Sequence, residues 1–211
     1  ATAKRERWQL DGRLPWVTNL RKAGFIVAAA VARSDGAAPM VVAITDSESG
    51  VTRSADLDLV ALRGSNTAAI DIQGVASGAA ELIHADARSF LPRVRPGFLG
   101  LQCGMSIGLA RACIGAAKAS GSAVRAGLQS RIDALESGLA HAIDELKAGL
   151  ASGSFAVQAA PLFRVRIRLA AIVREAMDLE LDARAGRAYL VATPGDFARR
   201  WLEAAFVPVV P

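Results

Sequence analysis

The stretch VRAGLQSRIDALESGLAHAIDELKAGL, residues 124–150, decides how this chain is read. Val124, Leu128, Ile132, Leu135, Leu139, Ile143, Leu146 and Leu150 recur at intervals of 4, 4, 3, 4, 4, 3 and 4. A helix turns once every 3.6 residues, so this spacing gathers all eight side chains on one stripe that must be buried against a neighbour. Gly149 and the run Ser152-Gly153-Ser154 close it.

Neighbours for that stripe are found on both sides. A helix is expected from about Pro161 to Ala183, with Leu162, Val165, Leu169, Ile172, Val173 and Ala176 inward. After a loop around Gly186, the sequence Thr193-Pro194-Gly195-Asp196 has the cap-then-proline pattern of a helix start, and Phe197 and Trp201 would face inward. On the other side, a helix from about Pro96 to Ala119 carries Gly100, Gly104 and Gly108 at intervals of four. A glycine costs about 1 kcal/mol in a helix interior, so three on one stripe predict a closely approaching helix backbone. These helices make an up-down four-helix bundle.

The first third reads differently. Trp8–Leu10 and Leu14–Thr18 flank Asp11-Gly12, a hairpin-turn dipeptide. Phe25–Ala32 is an unbroken apolar run that suggests a strand buried on both faces, and Asp35-Gly36 turns it toward Met40–Thr45. Asp56–Leu62 and Thr67–Gln73 flank the turn cluster Arg63-Gly64-Ser65-Asn66. The expected fold class is α+β: a partial antiparallel β-barrel or sandwich over residues 1–75, a connector over 76–95, and the four-helix bundle over 96–211.

Composition narrows the function classes. Hydrophobic residues make up 52% of the 211, enough for a substantial core, while aromatics are only 5%. The net charge of +5 is dispersed rather than clustered, which argues against a nucleic-acid partner. Cys103 and Cys113, if on one helix, are separated by roughly 15 Å, beyond disulfide reach. Unpaired thiols, no continuous apolar run near bilayer length and no apolar leader at Ala1–Arg7 give the expectation of a cytoplasmic chain with no membrane partner.

Three segments carry a family likeness. Leu10-Asp11-Gly12-Arg13-Leu14-Pro15-Trp16-Val17-Thr18-Asn19 resembles the L-N-G-x-K-x-W-I-T-N segment of acyl-CoA dehydrogenases. Leu62-Arg63-Gly64-Ser65-Asn66-Thr67, leading into Ile70–Val75, is similar to their G-x-R-x-S-x-T strand pair. Ala185–Leu190 and Arg199-Arg200-Trp201-Leu202-Glu203-Ala204 resemble their G-G-x-G-Y loop and R-D-A segment. The order and separations agree along nearly the whole chain. The resemblance implies a flavoprotein binding FAD, an acyl-CoA-type substrate, a homo-oligomer (dimer or tetramer), and a chain that starts within the middle β-domain. It further implies that Trp16 and Thr18 lie against the flavin ring and that the backbone at Gly186 approaches the cofactor. A tryptophan face supplies a flat apolar wall and threonine one hydroxyl, which suits that role.

The family's α-proton base is a glutamate, for which the matching positions are Pro211 and, in a minority of members, the neighbourhood of Arg95-Pro96; neither offers an acid. The expected chain is therefore an acyl-CoA dehydrogenase-like oxidoreductase with no catalytic glutamate of its own. The alternatives are a flavin-dependent monooxygenase of the same fold, which needs no such base, and a non-enzymatic oligomeric scaffold. Glu203 matches the aspartate of R-D-A and reads as structural. His84-Ala85-Asp86 is an isolated pair in the connector, and His141 with Glu145 reads as a surface pair at i, i+4. Two histidines and two distant cysteines make no metal site.

Overall fold

The computed structural model describes residues 1–4, 7–190 and 196–208. They form two compact units, Ala1–Arg93 and Val94–Pro211, each with a hydrophobic core of its own.

Among its described residues the first unit has seven antiparallel strands in two sheets and no closed barrel. In one sheet the order is β1 (Thr2–Lys4), β2 (Arg7–Val17), β6 (Ala68–Ser77) and β5 (Val51–Arg53). The other runs β3 (Ile26–Val31), β4 (Met40–Thr45), β7 (Leu82–His84). Leu10 of β2 and Ile70, Ile72 and Val75 of β6 share a core with Met40, Val42 and Ile44 of β4, sealed by Leu20 and Phe25. The sandwich half of the expectation is the one observed.

Several strands differ from the sequence reading. Asp11-Gly12 is no hairpin turn: β2 runs straight through it, with a shift in register against β6 between Leu10 and Gly12. The Asp11 carboxylate accepts the backbone N–H of Gly74 at 2.7 Å, across the sheet, so the dipeptide serves a bulge rather than a reversal. The run Phe25–Ala32 yields an edge strand, not a doubly buried one; within β3 only Ala29 is buried, and Ile26 is exposed. The buried central strand is its partner β4. Asp56–Leu62 forms no strand. Short strands β1, β5 and β7 escaped notice because three residues carry no periodicity.

The second unit is helical. α1 (Ala87–Lys118), α2 (Ser122–Ala151) and α4 (Ala160–Arg184) are long, α3 (Ser154–Val157) is a single turn joining α2 to α4, and α5 (Phe197–Phe206) follows. The α2 stripe buries Ile132, Leu135, Leu139 and Leu146, while Val124 and Leu150 at its ends are exposed. All six expected α4 residues, Leu162 to Ala176, are buried.

α1 begins nine residues before Pro96, and passes through Pro92 and Pro96. Asp86 caps it: its carboxylate accepts the Arg88 N–H at 2.8 Å and its carbonyl the Phe90 N–H at 3.2 Å. That commitment leaves His84-Ala85-Asp86 as a helix start, with His84 Nδ1 accepting the Asp86 N–H at 3.1 Å. The glycine stripe also differs from expectation. A Cβ on Gly100 would meet the Leu150 side chain at 3.1 Å, and nothing approaches Gly104 or Gly108 within 4 Å. The close approach lies instead at Gly149, where the ring of Phe155 fills the space that a Cβ would need.

On α5, Phe197 and Ala204 pack on the core, but Trp201 is exposed and the residue that turns inward is Arg200. Thr193-Pro194-Gly195 lies outside the described residues, and Asp196 precedes the helix without a side-chain cap bond. Among the described residues α1 is the one helix long and apolar enough to match a bilayer span, with a mean hydropathy of 1.3 over its best window. Its Leu99, Cys103, Ala110, Cys113 and Ile114 belong to the helical core, which is how a core helix comes to have such a composition.

Candidate functional site

The two motif segments most distant from each other in the first unit meet at one turn. β2 ends at Val17, and the chain reverses over Thr18–Leu20, with Asn19 in the left-handed conformation at φ 57° that asparagine tolerates. Leu20 is buried and plugs the sandwich core. The turn is tied to the 63–67 segment by two backbone bonds, Asn19 N–H to Ser65 O at 2.8 Å and Leu20 N–H to Asn66 O at 3.2 Å. Side chains continue the link: Ser65 Oγ and Thr67 Oγ1 are 2.7 Å apart, and Thr67 Oγ1 donates to Thr18 Oγ1 at 3.3 Å.

A third support comes from β5. Arg53, almost fully buried, donates from Nη2 to the Leu20 carbonyl at 2.8 Å, from Nη1 to the Ser54 carbonyl at 2.7 Å, and pairs with Asp56. The 63–65 segment is one turn of 3-10 helix bounded by Leu62 at φ 59° and Asn66 at φ 48°. A left-handed leucine is a strained backbone position, held here by the bonds around it. Nothing in the sequence pointed to Arg53; its signal is only an arginine beside an apolar strand.

On this frame Trp16 and Thr18 stand two residues apart at the outer end of β2. Trp16 is 68% exposed, although it is the sort of side chain that a fold usually covers. Thr18 is likewise exposed on its outer side. An uncovered indole face beside a hydroxyl whose inner side already has a partner suits a flat heteroaromatic ligand with a polar edge. The donor set fits a flavin ring.

Gly186 belongs to the second unit. It sits in a turn of 3-10 helix, Ala185–Tyr189, immediately after α4, and is exposed. The left-handed residue there is Ala185, at φ 49°, not the glycine; a Cβ on Gly186 would meet nothing within 4 Å. Glycine at this position answers no demand of the chain itself, and the space in front of its backbone is open.

Other groups of possible chemical interest are engaged structurally. Glu203 pairs with Arg199 through both oxygens at 2.9 Å. Glu145 does not pair with His141; it accepts from Arg168 of α4 at 2.6 Å. Arg95-Pro96 lies within α1 and offers no carboxylate, and Pro211 lies outside the described residues. Burial pushes the Cys113 thiol up to about 12, with the Glu180 carboxylate adding to it, and burial also raises Cys103. Both cysteines are free and buried, which leaves them without nucleophilic character. Among the described residues no three His, Cys, Asp or Glu side chains gather to hold a metal ion. A shallow cleft of about 400 Å³ between α1 and α2, lined by Arg111, Ile114, Lys118, Glu136, Leu139 and Ile143, presents no aromatic wall and no nucleophile.

No sequence-family profile and no curated protein sequence matches the chain. Solved structures do match. Butyryl-CoA dehydrogenase from Megasphaera elsdenii is similar with a TM-score of 0.81 and 17% identity, over 99% of this chain and 58% of that one. An acyl-CoA dehydrogenase from Geobacillus kaustophilus gives 0.79 at 14% identity, again over 99% and 58%. The flavoprotein nitroalkane oxidase gives 0.80 at 13%, over 99% and 57%. The chain thus spans a little over half the length of the structures it matches. With its β-sandwich, its helical unit and the order of their elements, it has the acyl-CoA dehydrogenase-family fold in that family's C-terminal part.

Proposed function

We propose that this chain is the flavin-facing C-terminal part of an acyl-CoA dehydrogenase-like FAD oxidoreductase, acting in the cytoplasm as a homo-oligomer on an acyl-CoA-type thioester. The observation that carries this reading is the exposed Trp16–Thr18 corner, fixed in place by the 63–67 turn although no ligand of the chain's own covers it. Trp16 would wall one face of the flavin ring and Thr18 would meet its polar edge. When bound, FAD supplies the hydride acceptor. The residues of this chain bind and orient that ring.

A second reading changes the reaction and keeps the cofactor. Removal of an α-proton needs a base within hydrogen-bond reach of the substrate carbon. The Arg95-Pro96 neighbourhood has no acid, and Glu203 is held by Arg199. Flavin-dependent monooxygenase chemistry, which does without that base, accommodates both facts.

The deciding experiment is reconstitution of the purified chain with FAD, removal of the excess, and a visible absorption spectrum. Retained flavin bands support the reading, and anaerobic bleaching by an acyl-CoA then selects dehydrogenation over oxygen chemistry. A colourless chain that is nonetheless a stable oligomer would replace both readings with a scaffold.

A further inference from the structure

We propose that Ser65 and Thr67 form a two-hydroxyl relay that sets the Thr18 hydroxyl as a hydrogen-bond donor toward its ligand, so that the ligand atom it meets is an acceptor. The proposal rests on the flavin reading and deepens it by naming two positioning residues that lie behind the ring-facing surface.

A hydroxyl has one hydrogen and two acceptor lone pairs. Thr67 is buried, and its hydrogen goes to Thr18 Oγ1 at 3.3 Å. With that hydrogen used, the 2.7 Å contact between Ser65 Oγ and Thr67 Oγ1 must be a donation from Ser65. The chain of donors therefore runs outward, Ser65 to Thr67 to Thr18, and the last hydrogen in the series, that of Thr18, is left for the exposed side, with no acceptor for it among the described residues. The second bond is long for two hydroxyls, so it acts on direction more than on strength. The rotor is also fixed at its base: Asn19 and Leu20 donate their N–H groups to Ser65 and Asn66, and Arg53 holds the Leu20 carbonyl. Three elements thus converge on one hydroxyl, at the corner where the uncovered indole of Trp16 stands.

A donor at this position favours a ring edge carrying a lone pair and disfavours one carrying a hydrogen. Removing Thr67's hydroxyl frees Thr18 to rotate, and its bond to the ligand becomes one of several orientations.

The test is a double-mutant cycle on the full chain, with FAD affinity read from flavin fluorescence and urea midpoints of the FAD-free proteins as a control for folding. Thr18→Val and Thr67→Val are each expected to weaken FAD binding about five-fold, the size of one net hydrogen bond. The double variant should be no weaker than Thr18→Val alone, because Thr67 acts only through Thr18. Thr67→Ser should restore wild-type affinity. Should Thr67→Val fold poorly, Ser65→Ala gives the same cycle, with a smaller loss that vanishes in the Thr18→Val background. Additive losses, or no rescue by serine, would show that Thr67 works by packing and would overturn the relay while leaving flavin binding intact. A wild-type chain that retains no FAD would overturn the flavin reading and the relay together.

Discussion

Arg200 on α5 lays its guanidinium along the carboxylate of Glu180 on α4, a side chain with 0% exposure, donating from Nε at 3.0 Å and again from Nη2. Arg184, one turn along α4, donates to the same carboxylate at 2.7 Å. The buried charge is thus paired twice, and one of the two partners belongs to the ten-residue helix α5. Removing one partner of such a pair costs roughly 3–5 kcal/mol, and the lower end applies because Arg184 remains. Arg200→Met is expected to lower stability by about 3 kcal/mol in urea unfolding. A loss below about 1 kcal/mol would show that apolar packing of Phe197 and Ala204, not the ion pair, holds α5.

Two helix glycines should respond to alanine with opposite signs. At Gly149 the new Cβ would lie 2.1 Å from Phe155 Cζ, so the ring must move; overpacking of this kind costs about 1–3 kcal/mol. At Gly104 nothing lies within 4 Å, and the helix should gain up to about 1 kcal/mol. Thermal unfolding of the two variants checks the pair: a midpoint below wild type for Gly149→Ala and above it for Gly104→Ala.

Stability should fall in alkali through Cys113. In the native chain burial holds this thiol up at about 12, against its ordinary 9.0. Below about pH 9 both states keep the proton, and the thiol favours the fold fully. Between 9.0 and about 12 the unfolded chain has released a proton that the native chain still binds, so stability declines as pH rises. One group gives at most about 1.4 kcal/mol per pH unit. Cys113→Ala should show a shallower decline in urea midpoint above pH 9 than wild type. Parallel curves would assign the alkaline loss to other groups.

Trp16→Leu separates folding from ligand binding. A side chain this exposed contributes little to stability, so the unfolding free energy from urea titration should change by less than about 0.5 kcal/mol. Flavin retention after reconstitution should nonetheless fall several-fold, since the flat wall is gone. Equal retention by the variant would remove Trp16 from the site.

What the sequence made legible follows how many residues carry each signal. α2 and α4 were readable from stripes of six to eight apolar positions; the six of α4 are all buried, whereas the eight of α2 are buried only toward the middle of the helix and exposed at its ends. Asp11-Gly12 misled because a dipeptide has the same local preference in a bulge as in a turn, and only the distant Gly74 N–H decides between them. Phe25–Ala32 misled because hydrophobicity does not reveal which strand of a sheet is at its edge. Pro92 and Pro96 hid the first turns of α1, whose true start was marked by Asp86. At the site, Trp16 and Thr18 were visible as a motif. Arg53 was not, because its task is to hold the carbonyl of a residue far away in the chain.

The register of β2 against β6 pairs Trp8 with Ser77 and Val17 with Ala68, joining the beginning of the first unit to its end. During synthesis β2 leaves the ribosome long before its hydrogen-bonding partner exists, whereas α2 and α4 find each other across a single turn. Long-range pairings of this kind form slowly, and their apolar faces stay uncovered meanwhile. The Thr18 turn is subject to the same delay, since its backbone N–H groups bond to Ser65 and Asn66. The corner that would receive a ligand is therefore among the last parts of the first unit to take shape on a nascent chain, and a folding assistant that shields Trp8, Leu10 and Leu14 in the interval would act on the site without ever touching it.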